Sequence, residues 1–145
     1  FNWNVGGLAI TMEYYEEQNV GWRVILNGTD GEFFYADWIY LEGEQALGGE
    51  SGRITCFKKV TTEVDAVWEW TLNDEGIYTM TMIFNDEFDK VEIIDNGDLS
   101  GFVYHYEYHE GVYKLIEKIQ HNTDMSGEYW VYNIAGNLLT HGFWD

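Results

Sequence analysis

The sequence contains no proline and a single cysteine, Cys56. No internal disulfide can form, so the fold rests on burial and hydrogen bonding rather than on covalent staples. Basic residues are scarce as well: 7 Lys and Arg against 26 Asp and Glu leave a formal charge of -19. A field of that sign repels phosphate backbones, which disfavours nucleic acid as a partner, and it disfavours anionic membrane surfaces for the same reason. No apolar run approaches the ~20 residues that a membrane-crossing helix needs, so no membrane insertion of this domain is expected. Serine is limited to Ser51, Ser100 and Ser126, none of them in a Gly-x-Ser-x-Gly elbow, which argues against a serine hydrolase. Glycine-rich phosphate loops are missing too, and no cofactor is expected.

Apolar material is nevertheless ample. Hydrophobic residues make up 46% of the 145 positions and aromatic residues 18%, far too much for an acidic disordered tail. The length suits a single domain over residues 1–145. Period-two alternation recurs almost throughout, and helical spacing wins in no long window, so the fold class is all-β. Leu8, Ile10, Met12 and Tyr14 share one strand face, and Trp22, Val24 and Leu26 share the next, with a polar turn at Glu16 to Asn19 between them. The Asn27-Gly28-Thr29-Asp30-Gly31 segment reads as a hairpin turn into the strand from Phe33 to Leu41. Residues 42–51, with their glycines and glutamates, read as a long mobile loop. Further strands follow at 52–63, 66–73, 76–84, 91–94, 102–108, 112–120, 128–134 and 138–144. A helix is the alternative reading of 112–120, because Tyr113, Ile116 and Gln120 would then stack. About ten antiparallel strands without crossover helices form a meander, either a curved sheet or a barrel, with a two-sheet sandwich as the alternative.

Near its C-terminus the chain reads Gly127-Glu128-Tyr129-Trp130-Val131-Tyr132, then Asn133 to Leu139, then Gly142-Phe143-Trp144. This stretch, 127–144, resembles a MORN-type repeat, a hairpin with an aromatic-rich first strand, a glycine turn and a second strand closing on glycine-aromatic. Residues 101–111 are a looser echo. The resemblance implies stacked hairpins in a meander and implies no activity, since such hairpins serve as scaffolds and interaction surfaces.

Three constellations are candidates for chemistry. His105, Glu107 and His109 lie two apart on one strand, about 6.6 Å from neighbour to neighbour, and imidazoles with a carboxylate suit a zinc-like metal. Their bland alternative is a solvated face opposite the interleaved tyrosines. Asp86-Glu87-Asp89 and Asp95-Asn96-Gly97-Asp98 crowd oxygen ligands onto turns, yet neither has the ligand series of a calcium loop. The third and most unusual feature is aromatic content: 7 Trp, 11 Tyr and 8 Phe exceed what a core of this size needs. Trp68 and Trp70 share a face, as do Trp38 and Tyr40, and either pair could line a binding surface. Asn27-Gly28-Thr29 also matches a glycosylation sequon.

These features lead to the expectation of a non-enzymatic ligand-binding β-domain that takes a glycan or an apolar small molecule into an aromatic-lined concavity. The alternative is an acidic interaction or inhibitor module docking on a basic protein, for which the charge would speed association. The opening at Phe1 rather than methionine, with no cofactor motif, points to an exported, periplasmic or cell-surface protein.

Overall fold

The computed structural model describes residues 1–84 and 89–145, and among them it contains twelve β-strands and no helix. They are β1 (Asn2–Val5), β2 (Leu8–Glu16), β3 (Asn19–Thr29), β4 (Phe34–Ala46), β5 (Ser51–Phe57), β6 (Val64–Leu72), β7 (Tyr78–Phe84), β8 (Lys90–Asp95), β9 (Gly101–His109), β10 (Val112–His121), β11 (Gly127–Tyr132) and β12 (Leu138–Trp144). Each strand neighbours its predecessor in one sheet of order β1 to β12. The all-β meander is therefore as the alternation indicates, while among the described residues β1 and β12 each have one partner strand, so the sheet is not closed into a barrel. By its contacts the chain divides into two units, Phe1–Val67 and Trp68–Asp145.

Several boundaries differ from expectation for identifiable reasons. Residues 42–46 are not loop but the end of β4, and only a tight turn, in which Gly49 N donates to Ala46 O (2.8 Å), separates β4 from β5. Gly43 looked like a loop residue. It is instead the direct cross-strand partner of Trp22, whose ring lies over it so closely that a Cβ there would sit 2.5 Å from the indole. The first hairpin turn also shifts. Asn27, Gly28 and Thr29 belong to β3, and the chain reverses at Asp30 to Phe33, where Asp30 Oδ1 accepts from the backbone N–H of Glu32 (3.0 Å) and of Phe33 (2.9 Å). The strand expected at 52–63 stops at Phe57, and 112–120 is strand throughout. Its helix-like spacing coincides with a bulge between Leu115 and Glu117, where Ile116 adds one residue against β9.

The pairing of aromatic rings with glycines recurs. Tyr15 opposes Gly21, Trp22 opposes Gly43, Tyr129 opposes Gly142 and Trp144 opposes Gly127. In each pair the ring covers the backbone where a side chain is missing, so a residue that weakens a strand by itself becomes the seat of a large apolar contact. This matters because burial is shallow. Among the described residues the buried apolar side chains are Val20, Tyr35 and Ala66, none of them wholly enclosed, and most others gain half-cover from their cross-strand neighbours.

The unit from Trp68 to Asp145 contains a repeated turn. Asn96-Gly97-Asp98-Leu99-Ser100-Gly101 and Asn122-Thr123-Asp124-Met125-Ser126-Gly127 make the same bonds. The first residue's backbone N–H donates to the serine carbonyl (3.0 and 2.8 Å), and the serine hydroxyl donates to the aspartate (2.6 Å in both). Leu99 and Met125 occupy the left-handed region, at φ 73° and 71°. The carbonyl of each is held by a ring from the strand that closes the repeat: His121 Nδ1 lies 2.8 Å from Leu99 O, and Trp144 Nε1 donates to Met125 O at 2.7 Å.

Candidate functional site

On a regular strand Tyr35 and Trp38 would point to opposite faces. They do not, because β4 carries two register shifts against β3. Val24 pairs with Leu41 but Ile25 with Ile39, which leaves Tyr40 as the extra residue. Leu26 then pairs with Trp38 but Gly28 with Tyr35, so that Ala36 and Asp37 oppose Asn27 alone. Bulges of this kind re-aim side chains. Here the result is a stack of Tyr35 on Trp38, with ring centroids 5.3 Å apart at 24°, and a tilted contact of Trp38 with Tyr40 at 5.7 Å. The second bulge is clamped by one side chain. Asn27 Nδ2 donates to Asp37 Oδ1 (2.6 Å), and Asp37 N donates to Asn27 Oδ1 (2.8 Å), which holds Asp37 at φ 51°. The sequon asparagine is thus the clamp of the bulge.

Cross-strand register completes the surface. Trp3, Ile10, Leu26 and Trp38 form one row across β1 to β4, and Leu8 and Tyr35 flank Gly28 in the next. These residues, with Val24, Tyr40 and Phe57, line a cleft of about 470 Å³ whose polar lining comes from Lys59 and Asp65. The indole of Trp38 is fixed by donating to Thr61 O at 2.9 Å. Trp38 and Phe57 also line a second hollow, of about 710 Å³, together with Phe34, Ile39 and Val60.

A polar node anchors one wall. The Tyr35 hydroxyl donates to Asp30 Oδ2 at 2.7 Å, and Lys59 Nζ lies 3.0 Å from the same oxygen and 4.0 Å above the Phe33 ring. The Phe33 backbone N–H, the Tyr35 hydroxyl, the Glu32 N–H and Lys59 together hold Asp30 well below the usual carboxylate range. Burial, then the bond to Asp30, raises the Tyr35 phenol, and the bond to Asp30 raises the Lys59 ammonium. All of these shifts keep the node in one protonation state, Asp30 charged and Tyr35 and Lys59 protonated.

Of the residues nominated by sequence, Trp38 and Tyr40 lie in this cleft. Trp68 and Trp70 do not line it. They sit half-buried on β6, and the Trp68 Nε1 is buried without a hydrogen-bond partner among the described residues. His105, Glu107 and His109 are spread along β9. His105 Nε2 lies 3.3 Å from Asp89 Oδ2, His109 Nε2 is 3.9 Å from Glu110, and Glu107 pairs in register with Lys114. Among the described residues no three His, Cys, Asp or Glu side chains are grouped to hold a metal ion. Of the acidic turns, residues 85–88 lie outside the described residues. In the other, Asp95 Oδ1 accepts from Gly97 N (2.7 Å) and Asp98 Oδ1 from Ser100 N (2.9 Å), so these oxygens serve the turn. The rings of the second unit are engaged with one another: Trp130 has His141 stacked at 5.0 Å and Lys118 Nζ 4.4 Å from its ring. Cleft residues that sequence reasoning missed include Tyr35, Trp3, Phe57, Lys59 and Asp65.

One titration follows from the second unit. Partial burial, then the bond and charge of Glu92, which accepts from the Tyr106 hydroxyl at 2.9 Å, push the Tyr106 phenol up to about 12. A raised phenol contributes stability that is intact below the unfolded value near 10 and is lost as pH rises toward about 12. Phenolate absorbance should show Tyr106 titrating in that window, and Glu92→Gln should bring it back toward 10; an unchanged titration in the variant would contradict the assignment.

A comparison with protein-family models finds no match for this chain, and a search of curated proteins finds none either.

Proposed function

We propose that the chain is a non-enzymatic ligand-binding β-protein whose unit Phe1–Val67 holds a small, predominantly apolar molecule in the cleft beside Trp38. The observation that carries this reading is the composition of the cleft: about 470 Å³ of concave space lined by Trp3, Ile10, Leu26, Tyr35, Trp38 and Tyr40 among others, with charged groups limited to Lys59 and Asp65. Small-molecule sites combine an apolar lining with a few placed polar groups. A glycan would ask for more hydrogen-bonding partners than this lining offers, so the apolar ligand is the better fit. The bulges support the same reading, because β4 gives up regular pairing where it presents Tyr35, Trp38 and Tyr40 together. For the unit Trp68–Asp145 we propose a scaffold of MORN-type hairpins, supported by the paired glycines and rings at 127–144 and by the repeated turn.

The neutral, environment-sensitive dye Nile red tests the cleft. Its emission should rise and shift to shorter wavelength on mixing with the protein, and Trp38→Ala should weaken binding by about fivefold. A response that Trp38→Ala leaves unchanged would place the apolar surface elsewhere.

A further inference from the structure

Resting on the cleft reading, we propose a ligand class for it: an organic cation, an ammonium or quaternary ammonium head on an apolar body. Four electron-rich rings, Trp3, Tyr35, Trp38 and Tyr40, line the cleft together with the carboxylate of Asp65. The faces of such rings attract cations, and a desolvated cation gains most from them. Among the described residues the Asp65 side chain makes no hydrogen bond or ion pair, and its electrostatic neighbour is the Cys56 thiol, so its charge is available to a ligand.

Lys59 is the cation in the lining, and it does not offset Asp65. Its ammonium lies 3.0 Å from Asp30 Oδ2 and 4.0 Å from the centre of the Phe33 ring, and the Tyr35 hydroxyl donates to the same Asp30 oxygen. The Lys59 and Asp30 charges cancel locally, which leaves Asp65 to set the sign of the cleft. An anionic head group would have to draw Lys59 away from Asp30 and would meet Asp65 as well as the field of a chain of net charge -19. A cationic head meets a favourable field at every range, from long-range attraction to contact with the rings. The apolar floor of Leu8, Ile10, Val24 and Leu26 suits the body of the ligand rather than its head.

The test compares benzyltrimethylammonium with neopentylbenzene, its neutral counterpart of the same shape, by titration against the whole chain. The cation should bind about tenfold more tightly than the hydrocarbon. Asp65→Asn should narrow that ratio by about fivefold, and so should Tyr40→Leu, which alters an exposed ring at a bulge and leaves the strand pairing in place. Equal binding of the two probes, or tighter binding of the hydrocarbon, would overturn the cation proposal while leaving the apolar cleft standing. Binding of neither would overturn both, and a tenfold preference unmoved by both substitutions would place the cation outside this cleft.

Discussion

Gly127→Ala is expected to destabilise the chain by about 2–3 kcal/mol, the scale of overpacking a closely fitted site. Strand propensity alone predicts the reverse, since alanine in place of a strand glycine recovers roughly 0.5–1 kcal/mol of backbone entropy. The reversal comes from what surrounds the position. An added Cβ would overlap both the carbonyl oxygen of Gln120 on β10 and the ring of Trp144, and the backbone atom cannot swing aside. Trp144 is also tied down, because its indole donates to Met125 O at 2.7 Å. Gly142→Ala provides the comparison: there the added Cβ would meet the ring of Tyr129 at 2.5 Å, and no backbone atom ranks among its nearest neighbours. It should cost less. Urea unfolding checks the order, with the midpoint falling further for Gly127→Ala than for Gly142→Ala at unchanged slope.

Asn27→Ala is the second large effect, expected at about 2 kcal/mol together with roughly tenfold weaker binding of apolar probes. Its amide makes two bonds to Asp37, as donor to the carboxylate and as acceptor from the backbone N–H, and alanine can make neither with its side chain. Without them Asp37 has little reason to stay at φ 51°, where a non-glycine residue pays in strain. A slip toward regular pairing would turn Tyr35 and Trp38 to opposite faces. Loss of stability without loss of probe binding would show that the stack of Tyr35 on Trp38 survives without the clamp.

The meander and most strand positions were legible because alternation of apolar and polar residues is a local signal. Trp38 and Tyr40 were legible as a pair for the same reason, being two apart. The rest of the site was not. Tyr35 joins the face through a bulge, and a bulge depends on which residues of two strands oppose each other, here Asn27 against Ala36 and Asp37. Asn27 and Gly28 carry the usual marks of a turn, yet they serve inside β3. Gly43 looked like loop material because glycine is read by its own flexibility, whereas its role is set by the Trp22 ring across the sheet. Lys59 and Asp65 reach the cleft from either side of the turn between β5 and β6, which no spacing within one strand reveals. The repeated Asn-x-Asp-x-Ser-Gly turn was in plain view at 96–101 and 122–127. Each copy alone resembles ordinary turn chemistry, and only their shared ring-to-carbonyl bonds show them to be one device.

The central claim, that an apolar molecule lodges beside Trp38, is tested most directly by the indole N–H resonances of the 7 tryptophans during titration with toluene. The signals of Trp3 and Trp38 should shift together and saturate, while those of Trp130 and Trp144 stay in place. Shifts confined to Trp130 and Trp144, or none at all, would contradict it.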